Sequence, residues 1–97
     1  MATTTRWTQE TLAGYEARAI RAAVAAAREQ GLTSADYIPS TDVVGGASIV
    51  TLRRKAHCRS CGQAMPKGGE AIQFAYRWVP AFHYRITESF IHPEACG

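Results

Sequence analysis

Cys58-Arg59-Ser60-Cys61-Gly62 and, with 30 residues between Cys61 and His92, His92-Pro93-Glu94-Ala95-Cys96 decide how this chain is read. The first stretch is a C-x2-C knuckle. A tight turn there brings two thiolates within reach of one ion, and the glycine lets backbone amides point toward the sulfurs. In the second, the i,i+4 spacing sets an imidazole and a thiolate on one face of a helical turn. Pro93 suits the first helical position, where its missing N–H has no partner to lose. Three Cys and one His make a closed structural set for Zn2+, with no coordination position left for a catalytic water. The expected ligands are Cys58, Cys61, His92 and Cys96, which use every cysteine in the chain. A redox dithiol would sit at a βα junction of a thioredoxin-like unit, and no such alternation is present. His57 abuts Cys58 and competes with His92 for the fourth position. Like His83, it ranks as a non-ligand.

At 97 residues the chain has room for one domain with a modest core, the size at which a metal contributes most. Hydrophobic residues make up 46% and charged residues 20%, so the composition is not that of a disordered chain. The odd cysteine count argues against a disulfide framework and for a reducing compartment. The Ala-rich run at 22–27 is short and flanked by Arg21 and Arg28, so it is no membrane span. Glu10 and Glu16 do not suit a signal peptide. The expected location is cytoplasmic. Nine arginines against two lysines, with abundant alanine, point to a GC-rich source of bacterial or phage type.

The N-terminal part predicts one long helix over residues 8–30. Thr8 is the N-cap and Gly31 the C′ residue. Leu12, Ala13, Ala17, Ile20, Ala23, Val24 and Ala27 share one side at helical spacing, and alanine favours the helix. Arg18, Arg21 and Arg28 gather on another side, expected to face water while the helix packs on the metal-binding part. Trp7 packs back on the helix or belongs to the terminus.

Residues 32–52 read as a turn-rich connection with short strands. Ser34, Asp36, Pro39, Ser40 and Asp42 mark turns. Residues 42–52 read as a hairpin, or as a strand after a Gly45-Gly46 turn. That glycine pair lacks the frame of a phosphate loop. Between the ligand pairs lies a two-strand signal. Ile72, Phe74, Tyr76 and Trp78 alternate, as one buried strand face should. Val79-Pro80-Ala81 turns the chain, and Tyr84, Ile86, Glu88 and Phe90 alternate on the second strand with Glu88 as the exception. Gly68-Gly69 is the corner before the hairpin. The aromatics read first as small-domain core and second as base-stacking groups, with Trp78 and Tyr84 near the tip.

Net charge is +3, and it is unevenly spread. Residues 1–52 carry four basic and five acidic groups, whereas residues 53–97 carry seven basic and three acidic. Arg53, Arg54, Lys55, Arg59 and Lys67 occur with no acid among them. Basic patches of this kind attract phosphates. A solvated edge that counters the metal–thiolate charge explains the same cluster.

Knuckle, hairpin, then ligands from a terminal helical turn is the order of a treble-clef zinc finger. The expected fold is α+β, a single domain with the treble clef at 53–97 and the long helix packed on it. Ala56-His57-Cys58-Arg59-Ser60-Cys61, Met65-Pro66-Lys67-Gly68 and the Phe90-Ile91-His92-Pro93 approach to Cys96 resemble the zinc finger of poly(ADP-ribose) polymerases and DNA ligases. The resemblance covers residues 54–96. It implies metal ligation by Cys58, Cys61, His92 and Cys96, and it implies DNA binding, since fingers of that family recognise DNA breaks. The family has H-x2-C where this chain has H-x3-C. The helix that follows in the family has no counterpart before Gly97, and the N-terminal helix is expected to fill its place.

No nucleophile elbow, paired-carboxylate motif or nucleotide-binding glycine loop is present. The chain therefore reads as a non-enzyme with neither a small-molecule substrate nor a membrane partner. Two readings stand: a nucleic-acid-binding finger using the basic patch, and a protein-binding adaptor or inhibitor in which zinc holds a small surface rigid.

Overall fold

The computed structural model describes residues 12, 14–39, 41–78 and 85–94, with backbone alone at Trp78 and Arg85. Among the described residues, helix α1 (Gly14–Glu29) is followed by six strands: β1 (Ser34–Ala35), β2 (Val43–Thr51), β3 (Ala56–His57), β4 (Ala64–Met65), β5 (Glu70–Trp78) and β6 (Arg85–Ile91). They form a four-stranded antiparallel sheet in the order β1-β2-β5-β6 and a separate two-stranded sheet, β3-β4. The α+β class expected from the sequence is present.

Helix α1 ends where glycine permits it. Gly31 has φ 82°, its N–H bonds to the Arg28 carbonyl at 2.9 Å, and the Leu32 N–H bonds to the Ala27 carbonyl at 3.0 Å. These are the two closing bonds of a Schellman motif. The buried side of the helix is Ala17, Ile20, Val24 and Ala27, joined by Leu12 just ahead of it. Glu16 is buried with them, at 3% exposure, a position that its charge conceals in the sequence. Thr8, Trp7 and Ala13 lie outside the described residues.

The stretch expected to be a turn-rich connection is structural. Residues 43–51 form a single nine-residue strand that pairs along β5 from Val43↔Tyr76 to Thr51↔Glu70. Gly45-Gly46 is not a hairpin turn. It is a bulge, where the register shifts between Val44 and Ala47. Gly45 takes φ 89°, and a Cβ on Gly46 would lie 1.9 Å from the Ala35 carbonyl oxygen of the neighbouring β1. The glycines fit a strand that kinks and a neighbouring β1 whose Ala35 carbonyl comes too close to Gly46 for a side chain, which in sequence looks the same as a turn.

Of the alternation expected on β5, Ile72 and Phe74 are buried, at 1% and 3% exposure, Tyr76 is half-buried, and the side chain of Trp78 lies outside the description; Ala71, of the other parity, is buried too. The alternation expected on β6 is reversed. Ile72 pairs with Ile91 and Phe74 with Ser89, so the buried side of β6 is Ser89 and Ile91, while Ile86 is 54% exposed. Hydrophobicity favoured the parity of Ile86 and Phe90. The register instead points a small polar Ser89 inward, where Arg59 binds it, and puts Glu88 on the exposed side with no exception needed. The turn at Val79-Pro80-Ala81, and Tyr84 with it, lie outside the described residues.

One core joins everything. Ile20 and Val24 from the helix, Ile38 from the loop after β1, Ile72 and Ile91 from the sheet, and Cys58 from the knuckle are its largest fully buried side chains. Each such aliphatic side chain contributes roughly 1.5–3 kcal/mol by leaving water. Because Cys58 is a member, the knuckle and the core are continuous.

Candidate metal centre and the basic cleft beside it

Strands β3 and β4 are the two stems of the knuckle, paired Ala56↔Met65 and His57↔Ala64. The turn between them is closed by Cys58 N–H to the Gln63 carbonyl at 2.9 Å and Gly62 N–H to the Cys58 carbonyl at 2.7 Å. Gly62 takes φ 82°, a conformation open to glycine and strained for other residues. The turn thus holds Cys58 buried and Cys61 exposed. The end of β6 delivers the third group. Cys58, Cys61 and His92 place their ligand atoms within 4.8 Å of one another, with Cys61 Sγ 3.6 Å from His92 Nδ1. Three of the four expected ligands therefore converge into a group that can hold a metal ion. His92, and not the exposed His57, joins the pair. Cys96 and His83 lie outside the described residues. His92, Pro93 and Glu94 are not helical, and the rest of the expected C-terminal turn is likewise beyond the description.

Backbone bonds fasten this group to the rest. Arg59 N–H donates to the Phe90 carbonyl at 2.8 Å, which clamps the knuckle to the edge of β6, and Leu12 N–H donates to the Arg59 carbonyl at 3.0 Å. Arg21 Nε donates to the His92 carbonyl at 3.0 Å. The arginines of α1 were expected to face water together. Arg21 instead reaches across 71 residues of sequence to hold the backbone of a ligand. Arg28 lies 3.9 Å from Glu70 in an exposed pair.

The five cations of the expected phosphate patch separate into two groups. Arg59 turns inward. Its Nη1 donates to Ser89 Oγ at 2.9 Å and lies 3.4 Å from Thr87 Oγ1, and its guanidinium sits 5.0 Å from the centroid of the Tyr76 ring. Tyr76 in turn donates to Glu16 Oε1 at 2.7 Å, and Asp42 N–H donates to Glu16 Oε2 at 3.1 Å. A polar chain thus runs from the knuckle through the sheet to the helix. Burial, then the hydrogen-bonded Glu16 carboxyl, push the Tyr76 hydroxyl well above the usual range of a tyrosine. Arg53, Arg54 and Lys55 do the opposite: all three are exposed, on the bend between β2 and β3. The corner carrying Lys67 is tied beside them, because Gly68 N–H bonds to the Leu52 carbonyl and Leu52 N–H to the Gly69 carbonyl, both at 2.9 Å.

The exposed bend forms one wall of a cleft of about 650 Å³. Arg53, Arg54 and Lys55 line that wall, and Gln73, Glu88 and Phe90 line the other from the sheet. Phe90 packs against the core, as expected of the aromatics, and is half-buried, so that it also lines this second wall. The signal that points to it is Glu88, whose charge favours an outward parity unless, as for Glu16, a buried partner binds it.

No helix among the described residues is long and apolar enough to cross a membrane. Compared with known proteins, the chain matches no family model, no curated protein and no solved structure.

Proposed function

We propose that this chain is a non-enzymatic zinc-stabilised binding module of treble-clef type, which contacts nucleic acid through Arg53, Arg54, Lys55 and Lys67. Zn2+ is held by Cys58, Cys61, His92 and Cys96. A tetrahedral ion with bonds of about 2.3 Å to sulfur and 2.0–2.1 Å to nitrogen sets its S and N ligands about 3.6 Å apart. The separation of Cys61 Sγ and His92 Nδ1 is 3.6 Å. Four protein ligands saturate the ion, so its role is structural, to hold the knuckle rigid beneath the basic bend.

The observation that carries the nucleic-acid reading is the bend itself. Three consecutive cations are exposed on it, and they share one cleft wall beside the metal group. Phosphate contacts release counterions, so affinity for duplex DNA falls with salt at a log–log slope of about −0.9 per phosphate neutralised. Titration of labelled duplex and single strands across a salt series tests the reading. Arg54→Ala with Lys55→Ala should reduce the slope by up to about two and weaken all sequences alike. If the wild-type chain binds no nucleic acid even at low salt, the reading falls. The protein-partner alternative then takes over, with exposed Val44 and Ile86 on the outer face of the sheet as its first surface.

A further inference from the structure

The two walls of the cleft differ chemically. One carries three cations. On the other, Gln73 and Phe90 are direct cross-strand partners on β5 and β6, and Glu88 stands two residues from Phe90 on the same face. Gln73 Nε2 donates to Glu88 Oε2. A carboxylate can only accept, so the amide must supply the donor, which leaves Gln73 Oε1 as an acceptor. This wall therefore offers acceptors, the Gln73 carbonyl and the remaining Glu88 lone pairs, next to the ring of Phe90. A surface that only gripped phosphates would gain nothing from a carboxylate there, and would lose affinity by like-charge repulsion.

An occupant that suits both walls brings negative charge at one end, paired hydrogen-bond donors at the other, and a flat body between. The cleft, at about 650 Å³, lies within the roughly 300–1,000 Å³ range of small-ligand sites. We propose that the cleft takes one unstacked guanine nucleotide of a single strand. Its phosphates lie on Arg53, Arg54 and Lys55, its ring on Phe90, and its N1–H and N2–H2 edge on Glu88 and Gln73. Guanine is the base with two adjacent donor groups on that edge. Adenine and cytosine each present one amino group there, and thymine or uracil presents carbonyl acceptors on both sides of a single N–H. Single-stranded sites expose these edges and stack bases on aromatic side chains. The inference rests on the nucleic-acid reading above and adds to it a strand form and a base.

The test uses the full metal-loaded chain and fluorescence anisotropy at low salt. The probes are labelled ten-nucleotide strands of thymidine whose one central position is guanosine, adenosine, cytidine or thymidine. The guanosine strand should bind about tenfold tighter than the all-thymidine strand, the scale of one good bidentate base contact. Glu88→Gln should erase that preference and leave the all-thymidine affinity equal or improved. Glu88 is exposed, so the variant should keep its metal content and melting temperature. Phe90→Leu should weaken all four strands together. Equal binding of all four strands to the wild type, or a guanosine preference that survives Glu88→Gln, overturns the guanine site while leaving phosphate binding intact. Failure of every strand to bind removes the underlying nucleic-acid reading instead.

Discussion

On the face of the main sheet that α1 covers, Ile49, Ile72 and Ile91 form one cross-strand row and Ala47, Phe74 and Ser89 the next. On the opposite face the rows are Val44, Ala75 and Glu88, then Ser48, Gln73 and Phe90. The strands are the same and only the parity differs. Polar groups on the covered face answer one another, Glu16 to Tyr76 and Arg59 to Ser89. Polar groups on the open face look into a cleft. Arg54 and Arg59 are five residues apart and face opposite ways: Arg59 is bonded into the fold, and Arg54 is exposed on the wall of the cleft. A run of basic residues in sequence is therefore not one surface until the parity of the strands around it is known.

Metal removal is the strongest way to break the division between the faces, because Cys58 is both a ligand candidate and a member of the core. Structural zinc supplies roughly 10–16 kcal/mol in small metal-folded units. A chelator, or Cys61→Ser, should abolish the cooperative thermal transition of the whole chain. Elemental analysis of protein purified without added metal should find one zinc per chain. A metal-free chain with an undiminished melt would detach the knuckle from the core and sink the zinc assignment.

How far the fold could be read in advance follows the same division. The knuckle and His92 were legible because ligand spacing is a local code, and α1 and its Gly31 stop were legible because helix periodicity and capping are local too. The buried parity of β5 could be read at Ile72 and Phe74, large residues in alternation. The parity of β6 could not, because Ser89 is buried to satisfy Arg59, a partner 30 residues away. Nor could Glu16, since a charge on an otherwise small, apolar helix face looks solvated until Tyr76 and the Asp42 amide are seen to bind it. The bulge in β2 reads as a turn in sequence because glycine pairs mark both. What decides between them is the close approach of the Ala35 carbonyl on β1 to Gly46, a tertiary fact.

Arg59→Ala sharpens the comparison from the covered side. It removes the donor to Ser89 and the cation beside the Tyr76 ring. The loss should be about 2–3 kcal/mol, since the groups left behind are out of water, or a fall in melting temperature of roughly 10 °C or more for a domain of this size. If the arginine instead belonged to a phosphate surface, stability would hold and the salt dependence of nucleic-acid binding would drop.

Tyr76→Phe probes the same chain of contacts with pH as the handle. The hydroxyl donates to Glu16, and its deletion should cost about 1.5 kcal/mol at neutral pH. In the folded protein burial and the Glu16 carboxyl raise the Tyr76 pKa, while an unfolded tyrosine ionises near pH 10. The unfolded state thus gives up its proton first as pH rises. The stability that Tyr76 contributes is complete below about pH 9 and shrinks above about pH 10. Urea denaturation of wild type and variant between pH 7 and 11 should show the gap between them narrowing only at the alkaline end. A gap that stays constant to pH 11 would mean the hydroxyl is not held as described.

The smallest expected change in stability comes from the open side. Arg54→Ala with Lys55→Ala removes two exposed side chains from the bend between β2 and β3. Exposed substitutions of this kind stay within about 0.5 kcal/mol. Melting temperature and zinc content should therefore match the wild type, even though the cleft loses two of its cations. If the double variant instead loses metal or melts well below the wild type, these cations are part of the fold. The bend would then resemble Arg59 more than a binding surface, and the distinction between the two faces would have to be redrawn around Lys67 and the outer sheet residues alone.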